Sequence, residues 1–526
     1  MIRRISPQRH GQSESLIRKD KKSSFTAVNE IIEGSANIGF DPIVSSINTF
    51  TGPGGFGRMF PTAAQFRPAS DKGLINLAQK MLETEGDVAG ANHPNLPAGF
   101  TYLGQFVDHD ITFDKTIGLP VIADVATILQ ARTPHLDLDS LYGFGPGSDS
   151  DGEMFEGAKG SEVFKLGRTR NGVVSPQPAG FSNDLNRRTD TSAIIPDERN
   201  DENLIVAQTH LAFLKFHNKL ISILPPSQQG EPSLFERAKE MVVHHYQWIV
   251  LHDFVRRLVK KEVFEDVLEN GRKFYRFEEV GTGKPFMPIE FSVAAYRLGH
   301  SMIRARYDYN HVFRRAKLGE LFKFTGNGGG APIPSDWIID WRRFYEVGDF
   351  GGVGQFTGIN NTRLIDTKLA DPLKDLTENG QIKVDNPPPA LAERNLLRGS
   401  RLGLPTGQEL AQIVNVQNRL TPDDIATGES AQVVSDNGFD KETPLWFYIL
   451  KEAERRENGE RLGELGSRIV AEVFIGLLQG DKNSILSQNW KPSDNDLIPK
   501  QNDNEFTMAD LLLFVNDISP IDGLSG

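Results

Sequence analysis

A chain of 526 residues with 38% hydrophobic and 24% charged residues has the composition of a folded soluble protein and excludes wholesale disorder or a collagen-like repeat. Its formal charge of −12 disfavours nucleic acid or anionic membrane as a main partner, and the absence of cysteine removes disulfides, thiolate metal ligands and cysteine nucleophiles.

Residues 1–49 are mostly polar and charged and lead into the glycine-rich TFTGPGGFGRMFP, so an amino-terminal extension over 1–49 joined to a domain over 50–526 is expected. The first residues lack the apolar core of a secretory signal, and no segment approaches the roughly 18 apolar residues of a membrane span. A soluble chain is expected, cytoplasmic or exported by a non-classical route. Apolar residues recur at helical spacing over Leu74–Thr84, Asn203–Leu224, Leu234–Val259, Phe291–Arg304 and Leu462–Leu478, while strand-like alternation is scarce. The spacing predicts a mainly α fold: a single large helical domain with little β structure. Long Gly-, Pro-, Asp- and Asn-rich loops interrupt it, among them Phe144–Pro196, Thr325–Pro334 and Asp371–Pro389.

Chemistry-bearing residues cluster in several places along this frame. In GQFVDHD, Gln105 and His109 are four apart and share a helix face, and Asp108 and Asp110 diverge on either side of the imidazole. Taken alone, the heptapeptide reads equally as a solvated acidic turn or a metal site. In TPHLDLD, Thr133, His135, Asp137 and Asp139 alternate along an extended segment, as oxygen ligands for calcium do, but Leu141 and Tyr142 stand where an EF-hand needs its third ligand and its turn glycine. A carboxylate from elsewhere is needed to complete such a site.

PDERNDEN places Arg199 and Glu202 three apart immediately before an amphipathic helix, where acidic residues commonly serve the helix dipole. Within that helix His210 and His217 lie among Leu211, Phe213, Leu214 and Phe216 and read as packed core histidines. Further on, RLGHSMI sets Arg297 three residues before His300, which sits on an apolar stretch: either a hydrogen-bonded core histidine or an axial haem ligand. NLLRGSRLGLP adds Asn395 and Arg398 near a helix end. His244, His245 and His252 lie in one helix without the HExxH pattern of a zinc hydrolase.

In this order, GQxxDHD, LDLDSLYG, an arginine and a glutamate before HxxxxxxHN, RxGH and NxxRGSRxGLP resemble the animal-type haem peroxidases of the peroxidase and cyclooxygenase superfamily, over about Gly52 to the carboxyl terminus. The resemblance implies haem b and Ca2+ as cofactors. It makes His109 the distal histidine beside Gln105, Arg199 the distal arginine and His300 the iron ligand. Asn395 then orients the proximal imidazole, and Arg297 and Arg398 lie near the haem propionates. Asp108 and Glu202 match the carboxylates that form haem ester bonds in mammalian members, while Asn203 stands where one of them forms a sulfonium link, so that third bond is expected to be absent. Asp110, Thr133, His135 through its carbonyl, Asp137 and Asp139 match the calcium site.

The implied activity is reduction of hydrogen peroxide through a ferryl intermediate, with phenols or halides as small electron donors, and a part in the response to oxidative stress. A fatty-acid dioxygenase of the same superfamily carries a tyrosine three residues before the proximal histidine. Arg297 holds that position here, and Tyr296 is expected to face about 100° away on an α-helix. A haem- or calcium-binding adhesion module is the remaining alternative, and such a role does not need His109, Arg199 and His300 together.

Overall fold

The computed structural model describes residues 55–525 apart from 84–89, 115–123, 129, 149–150, 158–160, 280–282, 327, 349–355, 357, 377–389, 495–496 and 499–504. The expected extension over 1–49 lies outside the described residues, as does most of the loop Asp371–Pro389. Helix accounts for 48% of the structure and strand for 10%, in agreement with a mainly α fold. Among the described residues the helices of eight residues or more are α1 (Asp71–Met81), α2 (Gly99–Ile111), α3 (Leu204–Ile223), α4 (Leu234–Trp248), α5 (Lys261–Asn270), α6 (Leu391–Arg401), α7 (Leu445–Arg456), α8 (Glu464–Gln479) and α9 (Met508–Val515).

The centre of the fold is α3. Asn203 starts it by accepting hydrogen bonds from Ile205 N and Val206 N at 3.1 and 3.0 Å, which satisfies two of the orphan amides of its first turn. Its first eleven residues, Leu204–Leu214, are all buried, as expected of a helix surrounded by protein rather than lying at a surface. Helices α2, α4 and α9 pack on it. The helix expected over Leu234–Val259 is continuous but not uniform: α4 passes into a π-helical stretch, Ile249–Val255, before a last α turn. One cluster of buried apolar side chains runs from Phe56 to Ile518.

The segment predicted as one helix over Phe291–Arg304 is broken instead. Ile289–Ser292 is α-helical, Ala294 leaves the helix at φ −129° and ψ −73°, Ala295–Leu298 is 3-10, and Gly299–Met302 is a final α turn. A 3-10 turn advances about 120° per residue. The expectation that Tyr296 stands about 100° round the helix from Arg297 assumed uniform α geometry, which this segment lacks, and both residues line one cavity.

Among the described residues the sheets are five two-stranded pairs, the longest strand being Asn92–Pro97 against Asn361–Arg363. A buried carboxyl also joins two helices: Glu452 of α7 accepts hydrogen bonds from Leu465 N and Gly466 N of α8 at 3.0 and 3.2 Å. Burial outweighs these donors and pushes its pKa up to about 7 from 4.5. Because the folded value is the higher one, the stability this carboxyl contributes is present below about pH 4.5 and is lost as pH rises through about 7. Glu452→Gln, which cannot ionise, is expected to flatten that part of the stability profile, by on the order of 3 kcal/mol at pH 8. Thermal melts of both proteins between pH 5 and 8 check this, and parallel profiles would refute it.

Candidate functional site

A cavity lies between α2, the turn at Glu202 and the broken segment that follows α5. Its wall is mainly apolar, including Phe100, Phe254, Met302, Ile303, Leu318 and Leu391, with a few polar groups: Gln105, Asp108, Glu202, Asn203, Arg297 and His300. Four of the residues singled out in the sequence for a haem pocket on the distal side and two on the proximal side therefore share one chamber.

The proximal segment brings His300 to the cavity wall. Asn395 on α6 reaches it, with Nδ2 2.8 Å from His300 Nδ1, and the Trp446 ring stands edge-on at 6.4 Å. In this orientation the amide donates to Nδ1. Iron ligation through Nε2 needs the opposite tautomer, with Nδ1–H donating to the amide oxygen, which a half-turn of the nearly symmetrical amide supplies. Burial and then the Arg297 guanidinium lower the His300 pKa to about 3, so the ring is neutral, as a metal ligand must be. Arg297 is buried in the same wall and donates from Nε to Ser292 O at 2.8 Å. Arg398 does not line the cavity. It pairs with Asp114, and its charge is felt by Arg297.

On α2, Gln105 and Asp108 line the cavity, whereas His109 has no exposed surface and sits behind that wall. Its Nδ1 is 2.8 Å from Asn200 Oδ1, and Asn200 Nδ2 in turn donates to His210 Nδ1 at 3.1 Å. With the amide in this orientation Nδ1 of His109 carries the proton and Nε2, buried without a hydrogen-bond partner, keeps its lone pair. Burial, then the positive charge of Arg199, holds the imidazole pKa at about 3. Gln105 Oε1 accepts from Asn203 Nδ2 at 3.0 Å, and its side chain also hydrogen-bonds the Glu202 carboxyl. Burial drives Glu202 up to about 8, and one of its oxygens is buried without a partner.

Arg199 is buried beside His109 and outside the cavity lining. Its Nε and Nη2 grip Asp197 at 2.9 and 2.7 Å, and Nη2 also donates to His109 O and Thr112 O at 2.9 and 2.8 Å. The guanidinium lies 4.0 Å over the Phe113 ring. Burial alone would raise the Asp197 carboxyl, but Arg199 and Arg132 more than reverse this and hold it well below the usual range.

The second constellation adjoins the first through Asp110. Among the described residues, the carboxylates of Asp110, Asp137 and Asp139 form one group whose oxygens lie within 4.8 Å of one another. Backbone and hydroxyl donors fix Asp110: Leu138 N at 3.2 Å, Ser140 Oγ at 3.1 Å and Tyr246 Oη at 3.1 Å. Thr133 Oγ1 is 3.1 Å from Asp137, and His135 lies near that carboxylate. Leu138 adopts φ 56°, a strained conformation for a branched side chain, to turn the loop around this point. Burial raises all three carboxyls, Asp139 to about 7, and Asp139 Oδ1 is buried without a hydrogen bond. Such a crowd of buried oxygens suits a hard cation.

Sequence reasoning missed Asn200, His210 and Asp197 as partners of the site, because residues 109, 132, 197, 200 and 210 meet only in three dimensions. His217 is a core residue as expected, between Tyr142 Oη at 3.1 Å and Glu162 O at 2.9 Å. His244 and His245 bond separately to Asn483 O and Met241 O, and His252 stacks on Trp248, so these three form no metal site.

Comparison with known proteins gives the family and the fold. The family model for the animal haem peroxidase matches residues 120–483, which begin just after the Gln105–Asp110 motif. Human thyroid peroxidase is 23% identical over 371 residues, covering 67% of this chain and 38% of that protein, so the chain spans about two fifths of the length of this curated relative. The fold is similar to that of peroxidase A from Dictyostelium discoideum, with a TM-score of 0.57 at 16% identity over 90% of this chain and 98% of that one. It is also similar to fatty acid alpha-dioxygenase from Arabidopsis thaliana, with a TM-score of 0.54 at 14% identity over 88% and 77%.

Proposed function

The chain belongs to the animal haem peroxidase family, and from that premise we propose that it is a haem-dependent peroxidase, reducing hydrogen peroxide at the expense of small donors such as phenols or halides. The observation that carries this reading is the single cavity that gathers Gln105, Asp108, Glu202 and His300, with a neutral His109 locked one residue behind its wall. The unpartnered carboxyl oxygen of Glu202 on the chamber wall and the unpartnered Nε2 of His109 behind it fit a haem-binding site.

His300 would hold the haem iron through Nε2, steadied by Asn395, and Arg297 would face a propionate. When bound, the haem supplies the iron at which the peroxide O–O bond is broken and the electrons for that cleavage. His109 Nε2 takes the proton from the inner peroxide oxygen and returns it to the departing oxygen, which requires the neutral tautomer that Asn200 enforces. Nη1 is the nitrogen of Arg199 left without a hydrogen bond among the described residues, and it is the donor for the charge developing on peroxide. The carboxylates of Asp110, Asp137 and Asp139 with Thr133 and the His135 carbonyl would hold Ca2+ and brace His109 through its neighbour Asp110. Asp108 and Glu202, both on the cavity wall, would form ester links to the haem; release of intact haem on acid extraction, read by mass spectrometry, removes that part of the proposal.

A second reading rests on Tyr296, which lines the cavity and stacks on Phe291 with ring centroids 4.8 Å apart. A fatty-acid dioxygenase needs an oxidisable tyrosine there. The Tyr296 hydroxyl, however, donates to Gly104 O at 3.0 Å, and Arg297 takes the position three residues before His300. One experiment separates the two. Haem-loaded protein is expected to change its Soret spectrum within seconds of one equivalent of hydrogen peroxide and to oxidise a phenol catalytically. Oxygen uptake with an unsaturated fatty acid and no phenol oxidation would replace the peroxidase reading by the dioxygenase one.

A further inference from the structure

Between Arg304 and Lys317 the chain carries five basic residues, Arg304, Arg306, Arg314, Arg315 and Lys317, against Asp308 alone, within a protein whose formal charge is −12. This stretch folds as a hairpin in which Arg306–Tyr307 pairs antiparallel with Ala316–Lys317. The register puts Arg306 directly opposite Lys317, so two like charges stand on one face of the ribbon, an arrangement that destabilises a hairpin unless an anion lies near. Arg315 is held at φ 55°, unfavourable for a long side chain, by a 2.8 Å hydrogen bond from its N to Asp308 Oδ1.

These residues surround a second cavity, open at the surface and lined by Asn92, Arg304, Arg306, Asp308, Arg315 and Asn361 among others. Arg304 is fixed in its wall by hydrogen bonds to Arg306 O at 3.1 Å, Asn92 Oδ1 at 2.9 Å and Asn361 O at 2.8 Å. Neither the Arg306 nor the Arg315 side chain has a hydrogen bond or ion pair among the described residues. Three guanidinium groups thus converge on one chamber that holds a single carboxylate. Arginine is the side chain best shaped for bidentate capture of oxyanions, and a cluster of one sign raises the local concentration of the opposite charge.

We propose that this cavity is a binding site for a polar oxyanion: a phosphate or carboxylate carried on a hydroxyl-bearing body. The guanidiniums of Arg306 and Arg315 take the oxyanion, Arg304 supplies a fixed third charge, and Asn92 and Asn361 face the hydroxylated part. The walls are almost wholly polar, which rules against an acid with a long hydrocarbon tail and separates this ligand from anything the apolar chamber at His300 would admit. The site adjoins that chamber at both ends of the hairpin, where Ile303 and Leu318 belong to its lining. It shares no residue with it.

The test is calorimetric titration of the haem-loaded full chain at constant ionic strength with glucose 6-phosphate, citrate and octanoate, followed by hydrogen exchange of the complex. Glucose 6-phosphate or citrate is expected to bind and to slow exchange within residues 304–317, the stronger of the two identifying phosphate or carboxylate as the source. The double variant Arg306→Gln, Arg315→Gln is expected to weaken binding about tenfold or more with an unchanged Soret spectrum. Arg314→Gln, on the same hairpin but outside the cavity lining, is expected to leave binding as it was. The proposal is overturned if neither polar anion binds, if the double variant binds as the parent does, if Arg314→Gln weakens binding equally, or if octanoate is preferred.

Discussion

Replacing His109 by alanine is expected to slow the reaction with hydrogen peroxide by about 100- to 10,000-fold, the range that a positioned general acid and base contributes, while haem remains bound. The size of the effect follows from how much of the surrounding structure serves this one ring. Its Nδ1 is committed to Asn200 and its pKa is held at about 3 by burial and Arg199, so Nε2 offers a lone pair in mild acid as well as at neutral pH. A solvated imidazole would be half protonated near pH 6.5 and would lose that function in mild acid. The low basicity also has a cost, since a weak base takes a proton less readily. A dry site offsets this because the proton moves only a short way, to peroxide oxygen and back, while Arg199 balances the charge. Stopped-flow measurement of the Soret change after mixing with peroxide reads the rate, and the spectrum before mixing reads haem retention. A variant that reacts at the parent rate with full haem content would assign the proton transfer elsewhere.

Much of the frame behind that ring is legible in the sequence, because long amphipathic helices announce themselves. Asn203–Leu224 and Leu462–Leu478 match α3 and α8 to within two residues, since an apolar repeat near 3.6 and an amide or glycine at the start are local signals. The break at Ala294 is hidden for the opposite reason: Ala294, Ala295, Arg297 and Leu298 are good helix formers, and packing of Tyr296 on Phe291 and Phe474 overrides their preference. The site divides in the same way. Gln105, Asp108 and His109 share one short helix and could be read together, as could Asp137 and Asp139. Asn200 and His210 could not, because an asparagine before an acidic turn and a histidine among leucines each have an ordinary local explanation. Only the fold of α2 against α3 makes them a hydrogen-bonded series with His109.

Removing divalent cations from the haem-loaded protein is expected to cost roughly 3 kcal/mol of stability, the amount lost when a ligand present at some hundredfold its Kd is withdrawn. Asp110 is completely buried, Asp137 and Asp139 are partly so, and their oxygens crowd within 4.8 Å, with Arg132 the nearest cation, 3.6 Å from Asp139. One partly buried guanidinium, itself shared with Asp197 at 2.7 Å, and the more distant Lys239 do not balance three carboxylates in such a space. A chelated protein must keep protons on the cluster or let the loop of Thr133–Asp139 open. Either response reaches the distal pocket, because Asp110 follows His109 on the last turn of α2 and Arg199 bonds the carbonyl of His109 itself. Chelation is therefore expected to lower the melting temperature and to slow the peroxide reaction together, with calcium restoring both and magnesium restoring less, since the smaller ion demands a stricter octahedron. Asp137→Asn removes a ligand charge and relieves the repulsion, so its melting temperature is expected to respond little to chelator and to lie above that of the chelated parent. Equal melting temperatures for the parent with and without chelator, in protein shown by elemental analysis to have lost its calcium, would leave the three carboxylates as a polar cluster that only the buried donors around Asp110 sustain.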